Sequence, residues 1–465
     1  MEGVPFMKLV DSIQKTAKEA VVGTVCDIIE QNPEKNVDKL FSLAKLLARD
    51  EDSKNGIVSV EEMYNEIPSV KEYIQDILIN TNKNCSKKLF QNFFSNAIWY
   101  GVGKREKWME KEDTKIPFVL LISPSMRCNL RCTGCYAAKY DKSQGLQFED
   151  VDRIVGQAHD LGIHFMIVLG GEPFFVDYMW DIYEKYSDIQ FVPFTNGTLF
   201  TEEFAERLEK LGNVMPMFSL EGFEKETDAR RGPGVFNKVM DGMYLLKARG
   251  IPFGVSSATA RNNMDTVTSE EFIDMLIKKG SRMSWYFMYM PVGDKPDVNS
   301  MLTPQQRIEL GRRTRNIRVT KPYFTIDFFN DAPYVGGCIA GKYYCHINSQ
   351  GDVEPCIFAH IAIDNAKNKD LIDIFRGSMF RELRARQPYN ENMLRPCMMI
   401  DNPHVIREVA KVSGAHPTDE SAKAMLYDEN FQKQLEDYAE AFAPVAEDAW
   451  EKDFNREGNI KFAKG

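Results

Sequence analysis

The stretch Ser123-Pro124-Ser125-Met126-Arg127-Cys128-Asn129-Leu130-Arg131-Cys132-Thr133-Gly134-Cys135 follows an apolar run beginning at Phe118. The run reads as a strand, and the loop after it carries three cysteines at C-x3-C-x2-C. In parallel α/β architectures chemistry collects at the C-terminal ends of strands. Three thiolates at this spacing can hold three irons of a cubane cluster and leave the fourth iron open. Structural zinc wants four enclosing ligands, and no fourth lies nearby in the sequence. A structural metal clip, or buried free thiols, is the alternative reading.

Outward from this loop the chain alternates strand-like runs with amphipathic helical stretches. Strands are expected near Phe118–Ser123, His164–Leu169, Gln190–Phe194, Val214–Ser219, Pro252–Ser257 and Met283–Tyr289. Helices are expected near Glu149–Leu161, Tyr178–Tyr186, Glu202–Leu211, Phe236–Ala248, Ser269–Lys279 and Pro304–Arg313. Repeated βα units imply a parallel sheet with helical crossovers. Six are too few for the eight-stranded closed barrel, so the expected fold is α/β, an open six-stranded (β/α)6 partial TIM barrel. Polar clusters fall at one rim of it: Gly170-Gly171-Glu172-Pro173 after the second strand, Thr195-Asn196-Gly197-Thr198 after the third, and Ser219-Leu220-Glu221-Gly222 after the fourth, with Arg230-Arg231 shortly beyond.

In combination these motifs resemble the radical SAM superfamily over residues 116–300. The resemblance implies that Cys128, Cys132 and Cys135 bind a 4Fe–4S cluster. S-adenosylmethionine (SAM) would then chelate the open iron through its amino and carboxylate groups. Gly170, Gly171 and Glu172, followed by Pro173, match the segment that holds the methionine amino group. Ser219 and Glu221 stand where the family contacts ribose or carboxylate, Asn196 lies on the same rim, and Arg231 is carried over for the carboxylate. The segment Tyr289-Met290-Pro291-Val292-Gly293 resembles the adenine-contacting region, which makes Met290 a cofactor contact. One departure is plain: the family often has an aromatic residue just before the third cysteine, and here that place is Gly134. The implied chemistry is one-electron cleavage of SAM to a 5′-deoxyadenosyl radical that abstracts hydrogen from a substrate C–H. It calls for a one-electron reductant such as a flavodoxin or ferredoxin.

Four more cysteines, Cys338, Cys345, Cys356 and Cys397, lie downstream. Asn348 to Asp352 reads as a hairpin turn, which would bring Cys345 and Cys356 together, and Cys397 would close the site from far along the chain. Four thiolates suit a fully ligated cubane, although a four-thiolate zinc site has the same ligand count. This segment resembles the one-cluster version of the Twitch/SPASM extensions, which implies a second 4Fe–4S cluster. His346 and His360 read as structural, and Cys26 and Cys85 as inert core thiols.

The organisation expected is an N-terminal helical region (1–112), a radical SAM core (113–330), an auxiliary-cluster segment (331–400) and a C-terminal helical tail (401–465). In the first region Leu9 to Val25 follow a helical stripe, Leu40, Leu43, Leu46 and Leu47 a second, and Phe90, Phe93, Phe94, Ile98, Trp99 and Tyr100 an aromatic cluster. The cluster reads as packing against the next domain, with a membrane-surface or lid role as the sharper alternative.

The chain has 465 residues, 58 Lys+Arg against 68 Asp+Glu, and a net charge of −10. An acidic chain without a basic run argues against nucleic-acid binding. No run approaches the uncharged apolar length that spans a bilayer, and Met1-Glu2-Gly3 opens no secretory signal, so the expectation is a cytoplasmic protein, with peripheral contact to a membrane surface open. The substrate is less legible. Phe174, Phe175, Met215, Met217, Phe218, Trp285, Phe287, Phe328 and Phe329 leave few ionisable groups facing the barrel, which fits a fatty-acyl or isoprenoid tail. Much of that apolar content is core filling. Modification of a ribosomal peptide or a protein side chain is the competing reading, and a non-catalytic metal-binding scaffold is the alternative of another class.

Overall fold

A computed structural model describes residue 23 and residues 33–48, 51–293 and 295–454. The expected stripe from Leu9 to Val25 and the thiol of Cys26 lie outside the described residues, as does the chain after residue 454.

The strands of the main sheet are β1 (Val119–Ile122), β2 (Phe165–Val168), β3 (Gln190–Thr195), β4 (Met217–Ser219), β5 (Gly254–Thr259), β6 (Met283–Met288), β7 (Phe324–Asp327), β8 (Tyr344–Ile347) and β9 (Val353–Glu354). Their order is β7-β6-β5-β4-β3-β2-β1-β8-β9, parallel from β7 through β8, with an antiparallel β8/β9 pair at the end. The monotonic order from β1 to β7 is that of a barrel wound one unit at a time, and β7 and β9 remain as open edges. The partial barrel is as expected, but its strand count differs. β7 was missed because it is short, carries a buried Asp327, and follows a helix that runs through Pro304–Thr320 rather than stopping at Arg313. β8 belongs to the cysteine-rich segment yet pairs in register with β1, Val119 opposite Tyr344 and Ile122 opposite Ile347. The auxiliary segment therefore extends the barrel wall.

The helices between strands bury one face each. In Glu202–Leu211, Thr201 caps the Phe204 amide, Glu202 and Glu203 fill the first turn, and Gly212 ends the helix with a left-handed residue. Ala205 and Leu208 form its buried stripe. Glu270–Lys279 repeats the pattern, with Ser269 as cap, Gly280 as terminator, and Phe272, Ile273 and Leu276 inward.

The N-terminal region is helical, as expected: Pro33–Leu47, Glu51–Glu66, Pro68–Asn80, Lys83–Leu89, a π-helical Phe90–Tyr100 and Gly101–Glu112. The π-helix closes the N-terminal end of the barrel. Phe93 stands edge-on to Phe118 and Phe165, with ring centroids 6.3 and 5.3 Å away. Asn92 and Asn96 donate to the carbonyls of Ile189 and Asp188 at 3.2 and 3.0 Å, and Arg105 donates to Gly162 at 2.6 Å. The aromatic cluster thus packs on the next domain, while Phe94 and Ile98 keep 50% and 42% of their surface exposed. No helix among the described residues is long and apolar enough to cross a membrane.

The C-terminal helix Glu429–Asp453 packs on Pro304–Thr320 at the outside of the barrel. The contact is built around a fully buried ion pair, Arg307 with Asp401, and the Arg307 guanidinium stacks 3.6 Å above the Phe442 ring. Asp401 also accepts the Cys397 amide at 3.0 Å, so this pair ties the barrel to the end of the cysteine-rich segment. Asp401→Ala leaves a buried guanidinium unpartnered and is expected to lower stability by about 3–5 kcal/mol in urea unfolding. The paired change Arg307→Met/Asp401→Leu, which removes both charges, is expected to recover most of that loss.

Candidate functional site

The site is built on two glycines. After β2 the chain turns through Gly170 with φ +113°, and a Cβ there would sit 2.2 Å from the Ser125 carbonyl oxygen. A Cβ on Gly171 would sit 2.1 Å from the Arg127 carbonyl oxygen. With none present, the two backbones bond directly: Gly171 N–H to Ser125 O and Glu172 N–H to Arg127 O, both at 2.9 Å. The turn is thereby bolted to the segment that enters Cys128.

Glu172 is buried beneath this turn. Its carboxyl accepts the Thr195 hydroxyl at 2.8 Å, the Asn196 amide at 2.8 Å and the Phe174 amide at 3.3 Å. The side chain is consumed in locking β2 to β3, which leaves the backbone of Gly170 and Gly171 as the part of this segment open to a ligand. Pro173 then starts a buried 3-10 turn. Asn196 reaches the other way, donating to Asn129 at 2.8 Å and to Cys128 Sγ at 3.6 Å. Asn129 in turn donates to the Thr198 hydroxyl at 2.7 Å.

Cys128, Cys132 and Cys135 sit half-buried at the mouth of the barrel cavity. Burial pushes the thiols of Cys128 and Cys132 up, and Arg231 and then Arg230 pull Cys132 back toward the thiolate. The Leu130 amide points at Cys128 Sγ from 3.4 Å. Soft sulfurs grouped on one loop, an amide aimed at one of them and a guanidinium beside another fit the donor set of an iron–sulfur cluster. Glu221 was expected to meet ribose or carboxylate. Its own carboxylate is instead held by Arg230, by Arg231 Nε at 3.0 Å and by the Ala258 amide at 3.1 Å, so it orients the guanidiniums. Ser219 and Met290 line the cavity.

Sequence reasoning quoted Arg230 and Tyr289 within the rim motifs but carried only their neighbours Arg231 and Met290 into the site. The Tyr289 ring fills the space over Gly134: a Cβ at Gly134 would lie 2.8 Å from Tyr289 Cε2. The aromatic group absent before Cys135 is thus supplied from the end of β6. Gly293 allows the same loop to press on the Cys135 carbonyl, where a Cβ would stand 2.1 Å away.

In the downstream group the structure brings together Cys338, Cys356 and Cys397 and leaves Cys345 out. The β8/β9 register pairs His346 with Glu354 and Ile347 with Val353. Extended by two residues, that register sets Tyr344, and not Cys345, opposite Cys356, and the Tyr344 hydroxyl donates to Cys356 Sγ at 2.6 Å. Successive strand residues face opposite sides, so Cys345 turns into the core, where it is fully buried. The hairpin was read correctly; the cysteine's face was not. The histidines are structural: His346 bridges the Ser123 hydroxyl and Glu354 at 2.7 Å each, and His360 pairs with Asp419 at 3.0 Å.

Among the described residues an open, mainly apolar space of about 3320 Å³ runs from the cysteine triplet and Gly171 past Phe194, Trp285 and Phe287 to Phe94 and Ile98 on the N-terminal helices, and reaches Arg312 and Asp453 on the outer helices. Barrel interiors are ordinarily filled by layered side chains. Here Phe194 stacks on Trp285 at 5.3 Å as one wall of open space.

Burial raises the Glu172 carboxyl to about 7, against the donors that favour its charged form. The folded chain then holds this proton more tightly than the unfolded chain, so the stabilisation is full below pH 4.5 and is lost as pH rises through about 7. In urea unfolding of cluster-free protein between pH 5 and pH 8, the wild type is expected to lose stability with rising pH relative to Glu172→Gln.

Comparison with known proteins agrees with this geometry. The profile of the radical SAM superfamily matches residues 122–278, and that of the SPASM iron–sulfur cluster-binding domain matches residues 338–399. An AdoMet-dependent heme synthase of Nitratidesulfovibrio vulgaris is 24% identical over 295 residues, covering 56% of this chain and 80% of that protein. The mycofactocin maturase MftC of Mycobacterium tuberculosis is 26% identical over 291 residues, covering 58% and 73%. In fold, the chain is similar to Streptococcus suis SuiB bound to S-adenosylmethionine, with TM-score 0.55 and 21% identity over 63% of this chain and 75% of that one. The two profiles bring with them a SAM-binding 4Fe–4S cluster and auxiliary iron–sulfur binding. The chain carries a radical SAM superfamily domain over residues 122–278, and a SPASM-type extension over residues 338–399 that continues its barrel wall.

Proposed function

We propose that this enzyme abstracts hydrogen from an unactivated carbon of a long apolar substrate, a fatty-acyl or isoprenoid tail. The observation that carries the reading is the cavity of about 3320 Å³ joining the cysteine triplet to the N-terminal helices. Ordinary ligand pockets hold about 300–1,000 Å³ and orient their ligand with a few placed polar groups. Along most of this cavity the wall is aromatic and aliphatic. A peptide drawn into it would bury backbone N–H and C=O groups, each costing about 1–3 kcal/mol without a partner. A hydrocarbon chain has none to satisfy.

In this reading Cys128, Cys132 and Cys135 hold the catalytic cluster, and the Gly170–Gly171 backbone, Asn196, Ser219, Arg231 and Met290 receive SAM. Bound there, the cofactors supply one-electron cleavage of SAM, which is strong enough to break an unactivated C–H bond. The chain's part is to hold the tail's reacting carbon near the triplet and keep water out of the barrel. A one-electron reductant of the flavodoxin or ferredoxin kind delivers electrons in the cytoplasm. Phe94 and Ile98, exposed on the N-terminal helices that border the cavity, are where a tail would enter from a membrane surface.

Modification of a peptide is the second reading. It is favoured by the maturase name of MftC and by the precursor peptide bound in a SuiB crystal structure. A non-catalytic scaffold would have no use for the glycine-locked turn or the paired arginines.

Reconstituted enzyme given SAM, reductant and vesicles of perdeuterated-acyl phospholipid is expected to release 5′-deoxyadenosine carrying deuterium. Unlabelled 5′-deoxyadenosine alone, with label arriving instead from a peptide substrate, would transfer the assignment to the peptide reading. Phe287→Arg, which sets a charge across the mid-cavity, is expected to cut label transfer at least tenfold while SAM cleavage persists. Cys132→Ala is expected to abolish both, and Cys356→Ala to spare part of the cleavage.

A further inference from the structure

Two of the chain's six histidines stand five residues apart at the end of the barrel opposite the triplet loop. His159 lies in the last turn of the helix Phe148–Asp160, and His164 immediately precedes β2. Between them Gly162 takes φ +87°, which turns the chain from helix into strand. The sheet register sets Phe165 opposite Gln190, so Asp188, two residues before β3, comes to the same corner.

The three side chains converge there. His159 Nε2 meets Asp188 Oδ2 at 2.9 Å, and the two imidazole rings stand 4.8 Å apart, centroid to centroid. One nitrogen from each ring and one carboxylate oxygen all lie within 4.8 Å of one another. Ligands of tetrahedral zinc, about 2.0–2.1 Å from the ion, stand roughly 3.4 Å apart, so the set is about 1.4 Å at most from closing on one. The His159 and Asp188 side chains each keep 29% of their surface exposed, which gives them room to turn and gives water access to a fourth position.

An ion pair alone would account for His159 and Asp188. It does not account for His164. That ring is fully buried, its Nδ1 faces the Asp188 carbonyl at 3.3 Å, and its Nε2 has no hydrogen-bond partner. A ring nitrogen facing a carbonyl carries the proton, so Nε2 keeps its lone pair. Imidazole ligands are held in this way, one nitrogen donating to a backbone carbonyl and the other offered to the ion. Burial, with His159 beside it, pushes the His164 imidazole down to about 3, so the ring stays neutral, as a ligand must. A buried acceptor without a partner is destabilising, and a bound cation removes the defect.

We propose that His159, His164 and Asp188 bind a divalent transition metal of the zinc class, separate from the cysteine groups. Two imidazoles and a carboxylate are a nitrogen–oxygen set suited to zinc, whereas calcium and magnesium take oxygen ligands. On binding, the ion replaces the contact between His159 Nε2 and Asp188, and the His159 ring proton moves to Nδ1, where Asp160 stands 3.8 Å away. The ion ties the end of one helix to the entries of two strands. The Asp188 carbonyl also accepts Asn96 of the π-helix at 3.0 Å, so the clamp extends to the N-terminal helices. Its work is to brace the end of the barrel away from the chemistry.

The test uses the full chain with its iron–sulfur clusters reconstituted, stripped of loosely held metal with a chelator and dialysed against zinc chloride or cobalt chloride. The wild type is expected to hold one zinc per chain more than His159→Asn, Asp188→Asn or His164→Gln, which bind that ion roughly tenfold or more weakly. Cobalt at the same site is expected to show d–d absorption without a thiolate-to-cobalt charge-transfer band. Zinc is expected to raise the unfolding temperature of the wild type and to leave that of Asp188→Asn unchanged. His159→Asn and Asp188→Asn alter half-exposed positions, so they decide the matter if His164→Gln fails to fold. Equal zinc content in the wild type and in both of these variants would overturn the proposal. So would a charge-transfer band placing the extra ion on cysteine.

Discussion

The site depends on the contact between two stretches of bare backbone. Gly170 and Gly171 approach the carbonyls of Ser125 and Arg127 so closely that a single methyl on either would collide at 2.1–2.2 Å. This contact sets the height of the triplet loop above the sheet. Glu172 fixes the same turn to β3 from below, through Thr195 and Asn196, and Asn196 returns to Cys128. A closed circuit of hydrogen bonds therefore runs β1 loop, β2 turn, β3 loop and back. Each member is specified by a residue type that little else could replace: glycine for proximity, a carboxyl to accept several donors, an amide that both accepts and donates. Such a circuit holds Cys128, the first of the three sulfurs, in place before any metal arrives, which is part of the preorganisation a cluster site needs.

A second constraint couples the two cysteine groups. β8 pairs with β1, and β1 ends at Ser123, which shares a hydrogen bond with His346 on β8. His346 and Tyr140, the latter from just beyond the triplet loop, both bond Glu354 on β9. Burial would raise the Glu354 carboxyl, but His346 and its other donors hold it below the ordinary value, so the network carries a buried charge that its partners satisfy. Any displacement of the auxiliary segment must break this network or drag β1 with it. The catalytic and auxiliary segments are thus joined in one wall, although 209 residues of chain lie between the first cysteine of each group, Cys128 and Cys338.

The legible part of the sequence was what local patterning controls. Strand runs, capped helices and glycine turns each announce themselves within a few residues, and the rim positions followed because polar clusters can end a buried parallel strand only at its exposed end. What was not legible depended on register or on distant pairing. Cys345 and Tyr344 are adjacent, and a hairpin turn read without its exact pairing cannot say which faces Cys356. Glu221 looked like a ligand contact because the sequence does not show that Arg230 and Arg231, one helix later, fold back onto it. Tyr289 covering Gly134 is a contact between residues 155 apart in the chain. The strand β7 was hidden by a polar residue at its end, and the partnership of β8 with β1 by the change in composition after residue 330.

The N-terminal helices bear on why the barrel is not filled. A barrel that is open along one edge and hollow would ordinarily collapse, since every unfilled volume forfeits dispersion contacts on its lining. Here the π-helix holds the chain entering β3 through side-chain amides to backbone carbonyls, bonds that fix distance without inserting bulk into the interior. Phe93 closes against Phe118 and Phe165 at the perimeter, while Phe94 and Ile98 turn toward the opening. The same element therefore braces the barrel at its perimeter, while its exposed side chains Phe94 and Ile98 border the apolar space rather than fill it.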